Sequence, residues 1–187
     1  MSKQKRINYI HFQVVDSTNT WAKNNGSILD PDLITCITAS EQTAGRGRFL
    51  KTWVSPKGVN LYATFYFCRP KGKPFLSHLG QLLSISCIKL LKSLGFSPQI
   101  KWPNDILLEN KKVAGILCET IPQENFVEII LGIGININME DHHMKGIDQP
   151  VTSLFLMSGQ YWSMDKILQD LVSFFVEDLA VLENKGF

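Results

Sequence analysis

The 187-residue chain has no run reaching the ~18 consecutive apolar residues of a membrane-spanning helix, and Met1–Asn8 is short and polar with no apolar leader core. No membrane partner is expected. It also lacks a strong charge of either sign. Nineteen Lys and Arg against seventeen Asp and Glu give +2, with a pI near 8.3, whereas a nucleic-acid surface usually shows as a strongly basic face. No nucleic-acid partner is expected either. There is no C-x-x-C pair. Cys36, Cys68, Cys87 and Cys118 lie far apart in apolar runs, which predicts buried free thiols acting as small hydrophobes, and a reducing, cytoplasmic setting. Low-complexity tracts, solenoid-period repeats and internal linkers are absent. With 44% hydrophobic residues, the chain reads as one domain, 1–187, large enough to bury about 70% of its unfolded surface.

Tyr9–Val15 reads as a strand, followed by helix-starting side chains at Asp16-Ser17-Thr18-Asn19 and a short helix stopped by Gly26. Leu33–Ala39 is a second strand. Asn60–Cys68 alternates Leu61, Ala63, Phe65 and Phe67 against Tyr62, Thr64 and Tyr66, the period of a strand. Phe75–Leu94 has helical apolar spacing, closed by Gly95. Strands follow at Gln99–Lys101, Ile106–Leu108, Lys112–Glu119 and Phe126–Asn138, then a polar loop to Pro150 and a short helix from Ser153. A last helix, about Met164–Leu182, carries Leu168, Leu171, Phe175, Leu179 and Leu182 on one face. Strands outnumber helices and hairpins dominate, so the predicted class is α+β, a mixed sheet with packed helices.

Four segments carry chemistry. Between Gly45 and Gly58 stand four cations (Arg46, Arg48, Lys51, Lys57) and no acid, within Gln42-Thr43-Ala44-Gly45-Arg46-Gly47-Arg48. Alternating Gly and Arg lets backbone N–H groups approach a small anion while guanidinium forks reach around it. Taken alone, this could equally be a flexible surface loop. Lys101-Trp102-Pro103-Asn104-Asp105 places two opposite charges beside a rigid turn that spends a tryptophan. Lys112, with Gly115 three residues on, can aim an ammonium group over cleared space, although an idle edge lysine is common. In Gly132-Ile133-Gly134-Ile135-Asn136-Ile137-Asn138, two glycines in a strand mark a close backbone approach to a ligand or another chain, and Asn136 and Asn138 share a side suited to a base or ribose; the bland alternative is a bulge.

In this order, from Ser17-Thr18-Asn19 to Gly132–Asn138 and the segment Val151-Thr152-Ser153-Leu154, the series resembles the biotin–protein ligase catalytic domain over about Tyr9–Leu182. The resemblance implies a mixed-sheet core akin to class II aminoacyl-tRNA synthetases and lipoate ligases. It implies two steps: biotin attacks the α-phosphate of MgATP to form biotinyl-5′-AMP, and a lysine of an acceptor takes the biotinyl group. The acceptor would be the biotin-carrier domain of a carboxylase such as acetyl-CoA carboxylase. Mg²⁺ would arrive with ATP, and a homodimer is left open.

By that resemblance Ser17, Thr18, Asn19 and Gln42 bind biotin, together with Gly45, Arg46 and Gly115, while Trp53 packs over the ligand. Arg48 and Lys112 hold the biotin carboxylate and adenylate phosphate. Lys101, Asn104 and Asn136 join the ATP side, Asn136 at the adenine, and Asp105 orients or deprotonates the incoming lysine. Two departures stand out. The family's loop usually continues with a further glycine and basic residue after the second arginine, whereas here Phe49-Leu50-Lys51-Thr52-Trp53 makes it stiffer and more apolar. The sequence stops at Phe187, where many relatives continue into an SH3-like domain, and no helix-turn-helix precedes it, so no repressor role is expected. The rivals are a lipoate–protein ligase or octanoyltransferase, which lacks the Gly-Arg-Gly-Arg loop, and a non-catalytic biotin- or adenylate-binding protein. Adjacent His142 and His143 have no third ligand at zinc-like spacing.

Overall fold

The computed structural model describes residues 7–185, so most of the polar Met1–Asn8 stretch lies outside the described residues. Strand β1 (Ile7–Phe12) leads through helix α1 (Thr18–Asn25) to β2 (Ile34–Ala39), which lies parallel to it. This is a βαβ unit, which the hairpin-dominated reading did not anticipate. Then come β3 (Leu61–Pro70), helix α2 (Leu79–Ser93), β4 (Gln99–Lys101), β5 (Asp105–Leu108), β6 (Lys111–Pro122), β7 (Phe126–Ile135), α3 (Leu154–Ser158) and α4 (Met164–Lys185). The seven strands form one sheet in the order β1-β2-β3-β7-β6-β5-β4, every pair after the first antiparallel. The predicted mixed sheet with packed helices is the observed fold.

The alternation of β3 splits the molecule. Leu61, Ala63, Phe65 and Phe67 join the main core with α2 and α4, where Phe175 stacks on Phe65 at 4.3 Å. Ile167, Leu171, Phe175 and Leu179 recur every fourth residue, so one stripe of α4 is buried. Tyr66, on the opposite face, packs with Ala22 of α1. Both faces of β3 are thereby covered, so the strand is buried along most of its length. Residues 74–93 have the length and apolarity of a membrane span, yet Leu79, Leu83, Leu90 and Leu91 are fully buried in the core.

Several boundaries moved. The helix expected from Phe75 begins as a 3₁₀ turn, Pro74–His78, before α2 proper, and Gly95 closes it at φ 90°. Glu109 and Asn110 both take positive φ, forming the two-residue tip that right-twisted hairpin strands require. β7 ends at Ile135, not Asn138, because the chain beyond it leaves the sheet: Asn138 N donates to Val59 O. Cys36 and Cys87 are buried free thiols, each pushed up to about 12 by burial, but Cys68 is half-buried and Cys118 exposed. The last two correct the expectation of four buried thiols.

Candidate active site

A cleft of about 260 Å³ opens on the α1 face of the sheet, over the glycines of β6 and β7. One end is neutral and polar. Ser17 caps α1, its Oγ accepting from Thr20 N, which fixes Thr18 and Asn19 at the helix start. Thr18 N donates to Gln42 Oε1 at 2.9 Å, and Gln42 Nε2 donates to Ser55 Oγ at 2.9 Å. Asn19 is 4% exposed and donates to Leu117 O and Glu119 Oε2. Thr64 of β3 joins the group, its hydroxyl 2.8 Å from Thr18 Oγ1 and 2.7 Å from Asn19 Oδ1. Ser17, Thr18, Asn19 and Gln42 all line the cleft.

Glu119 organises the near wall. It accepts from Arg46 Nη2 at 2.8 Å and lies 3.7 Å from Lys23 Nζ. Burial alone would raise its pKa, but hydrogen bonds from Arg46 and Asn19, with the charges of Arg46 and Lys23, overcome this and hold the carboxyl below its ordinary range. Sequence reasoning missed Glu119, Thr64 and Ser55, since a lone polar residue in a strand or loop carries no pattern.

The other end is charged. The Gly-Arg loop is a small hairpin in which Arg46 pairs with Thr52, Trp53 N donates to Gly45 O at 2.9 Å, and Gly47 N donates to Lys51 O at 2.7 Å. Arg48 Nη1 donates to Asn104 Oδ1 at 3.3 Å across the cleft. Lys112 Nζ lies 2.8 Å from Asp105 Oδ1 and 5.2 Å from the Trp53 ring centre. The ammonium sits off the hydrogen-bonding direction, so Asp105 Oδ1 has charge compensation without a donor of its own. Trp53 Nε1 is likewise buried without an acceptor. An anion between Arg48 and Lys112 would meet two cations in a partly dehydrated cleft, where such contacts are stronger than in water.

The glycines explain how Trp53 and Asn19 fit. A Cβ at Gly134 would lie 2.4 Å from Trp53 Cε2, one at Gly115 2.9 Å from Trp53 Cζ3, and one at Gly132 2.1 Å from Asn19 Oδ1. Gly115 and Gly134 are paired across β6 and β7, so the indole rests on a two-glycine floor. The close approach expected of the strand glycines is therefore made to side chains of the same chain.

The sheet thus brings together Arg46, Arg48, Trp53, Asn104, Asp105, Lys112 and Gly115, while Gly45 lies buried behind the hairpin, where a Cβ would collide with Trp53 O at 2.4 Å. Two further candidates lie outside the cleft lining. Lys101 is exposed on β4, paired with Asp105 but outside the cleft wall. Asn136 is 4% exposed, with Nδ2 donating to Thr152 O and Oδ1 accepting from Asn60. It is a buried amide whose two ends are held within the fold, outside the residues that line the cleft. Asn138 is similarly consumed by both backbone groups of Trp162. His143 Nδ1 accepts from Glu140 N in a 3₁₀ turn, and among the described residues no three ligands cluster for a metal.

The arrangement has known counterparts. A bifunctional ligase/repressor BirA of Bacillus spizizenii is 32% identical over 184 residues, covering 95% of this chain and 55% of that protein. A biotin–[acetyl-CoA-carboxylase] ligase of Paracoccus denitrificans is 39% identical over 161 residues, 81% of this chain and 65% of its own length. This chain therefore spans about half to two thirds of these relatives. Among solved structures, a biotin protein ligase from Aquifex aeolicus in complex with biotin and ATP superposes with a TM-score of 0.82 at 30% identity, covering 95% of this chain and 72% of that one. The Biotin/lipoate A/B protein ligase family model matches residues 11–136, from β1 through the glycine strand and the whole cleft floor, and the chain belongs to that family.

Proposed function

We propose that this chain is the catalytic domain of a biotin–protein ligase, which forms biotinyl-5′-AMP from biotin and MgATP and passes the biotinyl group to a lysine of a carboxylase biotin-carrier domain. One observation carries the reading: a single cleft joins a neutral hydrogen-bonding end, at Thr18 and Gln42, to a cationic end, at Arg48 and Lys112. The first suits the ureido ring of biotin and the second its carboxylate and the α-phosphate. The Aquifex relative, which holds biotin and ATP, and the Paracoccus relative, named for acetyl-CoA carboxylase, support both substrates and acceptor.

A carboxylate is a poor electrophile, and adenylation supplies it with a leaving group. Arg48 and Lys112 bring the two anions together and stabilise charge on the phosphorus oxygens. Mg²⁺ bound to ATP would supply charge screening of its phosphates. An adenylate phosphate that draws Lys112 away leaves Asp105 without its partner, a carboxylate then available to take the proton of the acceptor ammonium, whose pKa is about 10.4 in water. The free cysteines support a reducing, cytoplasmic setting.

The test is biotin-dependent pyrophosphate release from ATP, with lipoate and no-ligand controls, followed by transfer to a biotin-acceptor domain. Release with biotin and labelling of the acceptor are expected. Release with lipoate alone would overturn the assignment, and biotin binding without release would favour a binding protein.

A further inference from the structure

The tip of the Gly45–Trp53 hairpin holds Phe49 at φ 55° and ψ 41°, a left-handed conformation that glycine or asparagine adopts readily and phenylalanine rarely. The hairpin bonds fix it there: Lys51 N donates to Arg48 O at 3.2 Å and Gly47 N to Lys51 O at 2.7 Å. Burial does not explain the residue, since it is 83% exposed. Its aromatic face is engaged by its neighbour. The Arg48 guanidinium lies 5.0 Å from the centre of the Phe49 ring, while Arg48 Nη1 reaches Asn104 Oδ1 on the opposite wall. Arg46, two residues earlier, is neutralised by Glu119. Arg48 is held instead by an aromatic face and an amide oxygen, neither of which cancels its charge.

We infer that Phe49 is a positioning residue, whose ring holds the Arg48 guanidinium toward the cleft with its charge left free for an anion. A carboxylate in the same place would orient the arginine equally well but would compete with the ligand, whereas a ring quadrupole attracts the cation without occupying its N–H groups. The identity of the anion, a nucleotide phosphate or the adenylate, rests on the proposed function.

Two readouts test this in the whole chain. In the first, inorganic pyrophosphate is titrated by calorimetry without biotin, which reads the anion grip whatever the reaction. In the second, the escape rate of preformed biotinyl-5′-AMP is followed in a chase. Phe49→Leu keeps an apolar side chain but removes the π face. Pyrophosphate binding about two- to five-fold weaker, and adenylate escape faster by the same factor, are expected from an exposed cation–π contact. Phe49→Tyr and Phe49→Trp should match the wild type. Phe49→Gly relieves the backbone yet should show the leucine defect, with thermal stability unchanged or raised. In an Arg48→Ala background, Phe49→Leu should add nothing. Wild-type grip in Phe49→Leu, or an undiminished effect without Arg48, overturns the inference. If the wild type releases no pyrophosphate with biotin, the proposed function falls, and the pyrophosphate titration still decides the role of Phe49.

Discussion

Gly134→Ala isolates the floor beneath Trp53. The added methyl would stand 2.4 Å from Cε2, 2.5 Å from Nε1 and 2.7 Å from Cζ2 of the indole, and the ring would have to retreat by roughly 1 Å or more to reach ordinary contact at about 3.5–4.0 Å. β7 cannot yield instead, because Gly134 is paired on both sides, with Tyr62 of β3 and Gly115 of β6. Overpacking costs about 1–3 kcal/mol in a closed core; here the indole is only half-buried and has solvent to one side, which places the cost near 1–2 kcal/mol. For a chain of this length that lowers Tm by roughly 2–8 °C in a thermal melt. The retreat also takes the indole away from Lys112 Nζ, now 5.2 Å from its centre, so biotin-dependent pyrophosphate release should fall more steeply than stability. Trp53→Ala removes the collision, and in that background Gly134→Ala should cost almost nothing. Gly80→Ala is the control: its Cβ meets only Cys118 Cβ at 3.8 Å, so helix propensity should leave it neutral or slightly more stable. A Gly134→Ala protein that melts like the wild type, or that loses as much stability without Trp53, refutes the reasoning.

Lys112→Ala should lower adenylate formation on the order of 10²-fold or more with the fold intact by circular dichroism, since it removes one of the two cations at the charged end. Glu119→Gln should cost about 1 kcal/mol at neutral pH, discounted because Arg46 is 40% exposed. The sign follows from the depressed carboxyl: its stabilisation is complete above the usual carboxylate range and is lost as pH falls through the lower folded value. Denaturation curves of wild type and Glu119→Gln should therefore separate at pH 7 and converge below about pH 4. Asn136→Ala should destabilise by about 1–3 kcal/mol in urea, because it strands Asn60 Nδ2 and Thr152 O in the interior.

The fold was legible where one residue period governs one element. Period-2 alternation located β3, and apolar residues three and four apart located α4, because each element buries a face that its own spacing defines. The parallel pairing of β1 with β2 was not legible, since nothing local to Ile7–Phe12 states which neighbour will take its free edge. The site was legible through residues whose chemistry is costly elsewhere: arginines beside glycines, an aspartate beside a lysine, two glycines in an apolar strand. Gly132 and Gly134 announced a close approach but not its object, Asn19 and Trp53 of the same chain, because which groups approach depends on α1 and the hairpin crossing the sheet, contacts more than eighty residues distant in the chain.

Asn136 shows the limit most clearly. A sequence gives an amide's donors and acceptors, not their partners, and spacing made Asn136 and Asn138 look like free groups on one side of a strand. Whether an amide can serve a ligand depends on what the fold has already taken from it. Asn60, seventy-six residues away, and the Thr152 carbonyl take both ends of Asn136. Gln42 has partners at both ends too, Thr18 and Ser55, yet Gln42 and Thr18 line the cleft, where a ligand can exchange bonds with them at little net cost. The two amides differ in the surroundings of their partners and in nothing the sequence displays. Asn136 thus lies within the fold and Gln42 at the cleft, where a bond can pass to a ligand.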